Sequence, residues 1–524
     1  MRRKATLLTG LVAMVTLAGP ATAQFEKRPG SGQSLEAAHP AYKIEQARPN
    51  DFKPQTGAIC FLPNGKLAVT AFPPKNNGVF RDNYNGILYI IDNPAEKDSS
   101  KIKVTQISDE LHDPLGMTYV DGALYIADRN EVSKWTDTDN DGYPDKRETF
   151  SSGWVSDNYH HFTFGLPYDG ENFYITLSTN ITFKKMIEEE NIKGKIESLN
   201  GPNPELRGTL LKIDGKTGEF EPIVGGLRTP NGVSLGPNGT IIMPDNQGAW
   251  KPASGIYFDY PGSFTGHYNN TEATSDFYPD GGASSAFSDQ PITMPAVWIP
   301  QNECANSPGN MVEIPEGNPH AGQYLMAEIT KGGIRRVEFQ EVDGTWQGAI
   351  YRHSHGFEAG TNRLAWGPDG CLYVGCMGAG GNWAWKNKKT GLQRLAPTGK
   401  TAFEFASVNV TKDGFEVTFT EPVDKAQLED KSKWAVNAWT YKKTARYGGP
   451  KIPQEPKDKS QPNEQIVEIA SITTSDDGRA VEIILAKDRQ ANHVYHIRSD
   501  VTSKAGKTMW SNEVWYTFHN APAE

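Results

Sequence analysis

Thr361–Gly375, TNRLAWGPDGCLYVG, reads as a hydrophobic strand, a Pro-Asp-Gly turn and a second hydrophobic strand. The Asp-Gly pair supplies the positive φ angles that a tight hairpin needs. Working outward, the same unit recurs. It appears as GAICFLPNGKLAVTAF from Gly57, DPLGMTYVDGALYIAD from Asp113, FTFGLPYDGENFYITL from Phe162 and NGVSLGPNGTIIMPD from Asn231. A divergent copy, SPGNMVEIPEGNPHAGQYLMAEI, starts at Ser307. Hairpins repeating every 50 to 75 residues or so, each unable to bury both its faces alone, predict a six-bladed β-propeller, with each turn joining the two inner strands of a blade. The inner strands are expected to begin near Gly57, Gly116, Phe164, Gly232, Asn310 and Leu364.

The style changes from about Thr401. FEFASVNVTKDGFEVTFTEPVD, EIASITTSDDGRAVEIILAKDRQ and HVYHIRSDVTSKAGKTMWSNEVWYTF alternate apolar positions between turns, the pattern of a β-sandwich. Its FTEPVD-type strand resembles bacterial immunoglobulin-like modules. The expected fold is therefore all-β: a signal peptide over 1–23, an N-terminal extension over 24–50, a six-bladed β-propeller over 51–400 and an immunoglobulin-like β-sandwich over 401–524. The charged stretch FKKMIEEENIKGKIESLNGPNPEL, from Phe183, interrupts the strand pattern and reads as a blade insertion, either a short helix over the mouth or a solvated loop.

Arg2, Arg3 and Lys4, an apolar run from Leu7 to Leu17 and the small residues Ala21-Thr22-Ala23 have the order of a cleavable signal peptide. The run is too short and too interrupted by Thr9, Gly10 and Thr16 to span a bilayer. A periplasmic or secreted protein without a membrane span is expected. The net charge of −10 comes with no basic stripe, which argues against a nucleic-acid partner. Cys60, Cys304, Cys371 and Cys376 form neither CxxC nor CxxCH, excluding a zinc ribbon and a covalent haem. Cys371 and Cys376 flank one strand and lie too far apart to bridge each other. Pairing with Cys60 or Cys304 and buried free thiols both remain open.

DTDNDGYPDKRE, Asp137 to Glu148, is the sharpest chemical motif. Asp137, Asp139, Asp141, Asp145 and Glu148 occupy positions 1, 3, 5, 9 and 12 of a calcium loop, Gly142 the bend at position 6, and Tyr143 offers its carbonyl. Hard oxygen donors there would hold Ca²⁺ in a structural role. Histidine is sparse, so His160-His161 before an inner strand stands out, and one of the two is a candidate general base. Arg228 and Arg363 precede inner strands and Lys331 follows the second strand of blade five. Cations repeated at blade ends point to a shared anion site at the channel mouth.

At these residues the chain resembles the soluble quinoprotein glucose/sorbosone dehydrogenase family. More specifically, it resembles the propeller region of secreted "membrane-bound dehydrogenase" proteins of Planctomycetes, Verrucomicrobia and Bacteroidetes. The second resemblance rests on DTDNDGYPDKRE, GLRTPNGVSLGPNG, the segment from SPGNMVEI to KGGIRRVEF, EAGTNRLAWGPDGCLYVGCMGAGGNW and WTYKKTARYGGP. The resemblance implies pyrroloquinoline quinone and Ca²⁺ over the channel, His161 as the base that removes a sugar hydroxyl proton, Arg228, Lys331 and Arg363 holding the quinone, and Gly248 beside a cofactor-bound Ca²⁺. Thr229 departs from it, standing where that family commonly has Asn. The function expected is an exported sugar or polyol dehydrogenase with a separate electron acceptor. The alternatives are a carbohydrate-binding module of a polysaccharide-utilisation system, with Trp250, Trp383 and Trp385 stacking on sugars, or a cofactor-free glycan lyase or hydrolase.

Overall fold

The computed structural model describes residues 36–72, 86–183, 198–199, 203–268, 286–378, 383, 385–444, 447–453, 455 and 463–523. Residues 1–23, read as a signal peptide, and most of the stretch from Phe183 read as a blade insertion lie outside them. The protein is nearly all-β, with only short helical turns such as Lys425–Leu428.

Six sheets, each built on four antiparallel strands, follow one another along the chain, the third gaining a fifth strand and the fifth continuing into the C-terminal region. Sheet one runs Gln55–Phe61, Leu67–Phe72, Gly86–Asp92 and Lys103–Leu111. Sheet two runs Gly116–Val120, Ala123–Ala127, Glu131–Thr136 and Lys146–Ser152. Sheet three contains Thr163–Phe164, Asn172–Leu177, Leu210–Asp214 and Phe220–Gly225, with Ser263–Phe264 added in parallel. Sheet four comprises Ser234–Leu235, Ile241–Asp245, Ser254–Phe258 and Val297–Ile299. Sheet five begins with Pro308–Glu313, Tyr324–Glu328, Gly333–Val342 and Thr345–Ser354. Sheet six takes Gly360–Trp366, Leu372–Met377 and Thr390–Pro397 from the end of this region and closes with Tyr42–Gln46. Residues 42–46, read from sequence as part of an extension, are thus its outer strand. The pairing joins Tyr42 to Pro397 and Gln46 to Gln393.

The first strand of each sheet starts where the repeats place it. The turn glycines Gly65, Gly122, Gly170, Gly239 and Gly370 all have positive φ, as the hairpin chemistry requires. The second strands Ala123–Ala127, Asn172–Leu177, Ile241–Asp245, Tyr324–Glu328 and Leu372–Met377 are buried at every position. Neighbouring sheets cover both their faces, which explains unbroken apolar runs where a one-sided sheet would alternate.

First strands pack side by side around a common centre. A Cβ on Gly116 would meet the Gly165 carbonyl, one on Gly165 would meet Val233, one on Gly232 the Gly309 carbonyl, and one on Gly309 the Asn362 carbonyl. Asn362 Nδ2 donates to Thr56 O at 2.9 Å and Thr70 Oγ1 to Pro114 O at 3.1 Å, returning the circuit to sheets one and two. The ring is closed by packing and these cross-links, and among the described residues no hydrogen-bonded ladder runs around it.

The C-terminal region is built onto the ring. Glu513–Phe518 pairs with Thr345–Ser354, and His493–Ser499 and Trp434–Tyr441 continue the same sheet. A second sheet, Phe405–Val410, Gly414–Phe419, Ala480–Leu485 and Ile469–Thr474, lies against it. Phe405, Val417 and Ile483 of one share a core with Val436, Tyr495 and Tyr516 of the other, joined by Ala349 and Tyr351 of sheet five. A further core joins Trp298 and Ile299 of sheet four to Trp439, Val494 and Trp515. All four cysteines are free thiols. No helix among the described residues is long and apolar enough to cross a membrane.

Candidate functional site

First strands begin and second strands end at the same end of the ring, so the residues before Gly116, Thr163, Ser234 and Gly360 meet those after Leu177, Asp245 and Glu328 there. Leu115, Phe162, Phe164, Ile329, Met377 and Trp383 form an apolar cluster at this end, drawn from four sheets and the segment after Met377. Arg363 is buried in the ring's centre. Its Nη1 donates to Asn231 Oδ1, Asn362 O and Asn362 Oδ1 at 2.9–3.0 Å, and its Nη2 to Leu115 O at 2.7 Å. One guanidinium thus ties together sheets two, four and six. Burial pushes its pKa down to about 9.

Arg228 is also buried and sits at the edge of this end. Asp245, closing the second strand of sheet four, fixes the turn by accepting from Arg228 N at 3.0 Å and Thr229 N at 2.7 Å. The Arg228 side chain donates from Nη1 to Gln247 O at 2.8 Å, while its Nε makes no hydrogen bond. A Cβ on Gly248 would fall 1.9 Å from that Nε, so glycine is required for the guanidinium to lie there. Lys251 Nζ, fully buried, is 3.2 Å from Asp245 Oδ2 and donates to Thr265 O and Oγ1. A single carboxylate therefore holds both the backbone of the Arg228 turn and the buried Lys251 ammonium. Burial pushes Lys251 down to about 8, and burial together with the Lys251 charge pushes Lys443 down to about 7. Lys443 Nζ is buried without a hydrogen-bond partner among the described residues.

Lys443 arrives from the C-terminal region. Its loop covers this edge: Trp250 N donates to Thr444 O, Gly448 N to Gly248 O and Gly449 N to Pro252 O, while the Tyr447 ring lies 5.0 Å from the Arg228 guanidinium.

The adjacent histidines differ. His160 Nδ1 lies 2.8 Å from Thr179 O, so this nitrogen carries the proton, and Nε2, which makes no hydrogen bond among the described residues, keeps its lone pair. Burial and then the Arg228 charge push its pKa down to about 3. His161 has both nitrogens engaged: Nδ1 accepts from Asp157 N at 3.2 Å and Nε2 reaches Asn203 Oδ1 at 2.9 Å. Burial, then Arg207, bring it to about 3 as well. His267 bridges Thr179 Oγ1 and Ala249 O, on the Arg228 side. Lys331 is half-buried, and its ammonium makes no ion pair among the described residues. The following Gly332 packs on Trp385, where a Cβ would fall 2.4 Å from the indole ring.

The acidic loop stands apart, between the two outer strands of sheet two. Ligand atoms of Asp137, Asp139 and Asp141 gather within 4.8 Å of one another. Asp137 accepts from Asp141 N and Gly142 N, which folds the loop around the three carboxylates. Asp145 instead accepts from Thr138 N and Oγ1, and Glu148, on Lys146–Ser152, pairs with Lys146. The Tyr143 hydroxyl donates to Asp92, tying the loop to sheet one.

The structure thus groups Arg228, Gly248 and His160, and places Arg363 inside the ring, His161 against Asn203, and Lys331 next to the Gly332 that packs on Trp385. Sequence reading did not single out Lys251, His267 or Lys443. Their neighbours lie in distant segments, and nothing in their local pattern distinguishes them from surface residues.

A family model described as "Domain of unknown function (DUF7133)" matches residues 58–274. No curated protein matches the chain. Similar solved structures include the PQQ-bound form of an aldose sugar dehydrogenase from Streptomyces coelicolor, at 13% identity over 68% of this chain and 99% of that one, with a TM-score of 0.44. The holo form of a pyranose dehydrogenase PQQ domain from Coprinopsis cinerea is 12% identical over 70% and 99%, with a TM-score of 0.41. A Carbohydrate-Active Enzymes Family AA12 protein from Trichoderma reesei is 12% identical over 71% and 98%, with a TM-score of 0.47. At these identities and scores the likeness bears on no residue's role.

Proposed function

We propose that the ring is the six-bladed β-propeller of an exported protein, with the C-terminal sheets forming an immunoglobulin-like sandwich, and that its Arg228–His160 edge binds and oxidises a sugar or polyol. The observation that carries this reading is the pairing of a buried, incompletely bonded cation with a neutral imidazole whose Nε2 is unprotonated. Arg228 would hold an anionic group, and His160 Nε2 would accept the hydroxyl proton. Its low pKa keeps it neutral throughout the physiological range. His161, with both nitrogens engaged, would position the segment. The apolar cluster around Trp383 would limit water at the reacting carbon.

Pyrroloquinoline quinone fits these residues in part. The Arg228 guanidinium and the Lys331 ammonium suit its carboxylates, whereas Arg363 is committed to side-chain amides and backbone carbonyls, and Gly248 is covered by Arg228 and the Tyr447 loop. When bound, the group would supply a hydride acceptor, with a separate protein or dye taking the electrons. Ca²⁺ would be held by Asp137, Asp139 and Asp141 with the Tyr143 carbonyl.

Purified protein loaded with quinone and Ca²⁺ is expected to reduce a dye with at least one sugar or polyol, and His160→Ala to lower the rate by about 100-fold or more. Turnover that survives His160→Ala, or no dye reduction with any sugar, would overturn this reading. Saturable sugar retention without turnover would instead favour the carbohydrate-binding module.

A further inference from the structure

Where the ring meets the C-terminal region, three histidines surround one carboxylate in a place no part of the proposed mechanism uses. Glu404, 1% exposed, lies between Pro397, the end of sheet six, and the Phe405–Val410 strand. Its Oε1 accepts from His39 Nε2 at 2.8 Å and from His320 Nε2 at 3.0 Å. His39 precedes the outer strand of sheet six, and His320 lies in the turn between the first two strands of sheet five. His353, on the fourth strand of sheet five, stacks on His39 with ring centres 4.6 Å apart. The group therefore draws on the N-terminal segment, the ring and the C-terminal region at once.

The hydrogen bonds set the tautomers. Burial favours the neutral acid of Glu404, but the attraction of the two imidazole donors, His39 and then His320, outweighs it and holds the carboxyl well below its usual range. An ionised carboxylate only accepts, so both imidazoles donate to it from Nε2. His39 Nδ1 takes the Ala41 N–H at 3.2 Å. Burial lowers the His320 pKa and keeps its ring neutral, so its Nδ1 is a lone-pair acceptor, and it makes no hydrogen bond. Glu404 Oε2 makes none either, and both atoms are buried. Two unpaired buried acceptors are costly unless something donates to them.

A cavity of about 120 Å³ lies against these groups. Its wall also carries Tyr42, Lys400 and Thr401. Tyr42 Oη accepts from Asn318 Nδ2 at 3.0 Å, which leaves its own proton to donate, and burial raises its pKa and keeps that proton in place. The lining residues thus bring two unpaired acceptors, Glu404 Oε2 and His320 Nδ1, and a donor, Tyr42 Oη, together with the aliphatic carbons of Ile314 and Ala402. A hydroxyl group both donates and accepts, and a short carbon chain satisfies the apolar wall. The volume is that of about four waters.

We propose that this junction cavity is a second binding site, distinct from the Arg228 edge, that takes a small neutral polyol such as glycerol or a four-carbon sugar alcohol. The ligand's hydroxyls donate to Glu404 Oε2 and His320 Nδ1 and accept from Tyr42. Because the wall belongs to both the ring and the C-terminal region, bound polyol ties the two together. The site stands whether or not the chain oxidises sugars.

Ligand-observed NMR and calorimetry on the whole protein with glycerol, erythritol, glucose and methylammonium test this. Saturable binding of glycerol or erythritol at one site per chain is expected. It should weaken at least 10-fold in Glu404→Gln and, independently, in Ala402→Leu, which fills the cavity and leaves the histidine–carboxylate group intact. It should persist in His160→Ala, which separates it from binding at the mouth. Absence of saturable polyol binding, unchanged binding in a folded Ala402→Leu protein, or preference for methylammonium over both polyols would each overturn the proposal.

Discussion

His160 and His161 are neighbours in sequence, yet their partners assign them different chemistry: a backbone carbonyl on His160 Nδ1 leaves Nε2 as a base, while an amide N–H and Asn203 occupy both nitrogens of His161. Both, with His267, are held near pKa 3 in the folded protein, mainly by burial, against 6.5 for free imidazole. Between those values the unfolded chain binds more protons than the folded one, so stability rises with pH across that window. The contribution is complete above pH 6.5 and is lost as pH falls towards 3. Melting temperature should therefore decline steadily from pH 7 to pH 4, and His161→Gln, which removes one of these protons, should show a shallower decline. A melting temperature independent of pH over that range would contradict the burial of neutral imidazoles. Arg363 shows the limit of sequence at this scale: its position before an inner strand suggested an anion ligand, but Asn231, Asn362 and Leu115, which take up its donors, come from three separate segments.

At the scale of elements, glycine marks two different requirements. Gly65 has φ +80 and open space around it, so Gly65→Ala carries only the backbone penalty and should cost about 1 kcal/mol in chemical denaturation. Gly232 sits where two first strands touch, and a Cβ there would fall 1.9 Å from the Gly309 carbonyl. Backbone cannot yield as a side chain can, so Gly232→Ala should cost about 3 kcal/mol or more, or prevent folding. The acidic hairpin offers a third test. Asp137, Asp139 and Asp141 repel one another unless a cation lies among them, so Ca²⁺ should raise the melting temperature, chelator should reverse the rise, and Asp139→Ala should abolish the difference. Equal melting temperatures with Ca²⁺ and with chelator would remove calcium from the assignment. The turn chemistry and the 1-3-5 carboxylate spacing were legible in the sequence. The different partners of Asp145 and Glu148 were not, because strand pairing rather than loop spacing aims Glu148 at Lys146.

Across the whole molecule, two long-range pairings decide cooperativity. Tyr42–Gln46 completes a sheet whose other strands lie some 320 to 350 residues later, and Glu513–Phe518 extends sheet five. Removing residues 401–524 would uncover the Gly348–Tyr351 strand edge together with Trp298 and Ile350. An exposed apolar strand edge pairs with other chains. The truncated ring should accumulate as aggregate, whereas the intact chain should unfold in one transition followed by tryptophan fluorescence and by circular dichroism. Two well-separated transitions would mean that the shared sheet does not couple its halves.

The sequence by itself determined the hairpins, the positions of the first strands and the class of the fold. A turn is set by φ at two or three adjacent residues, and a buried strand by the run of apolar side chains between turns, both local properties. Only the tertiary structure decided what met at the ends of those strands. Closure of sheet six by residues 42–46, fusion of sheet five with the C-terminal strands, the gathering of Lys251 and Lys443 behind Arg228, and the histidines around Glu404 all join segments far apart in the chain. A strand edge or a single charged side chain carries no local mark of its partner, and the pairing emerges only when whole sheets compete to bury their faces and satisfy their polar groups together.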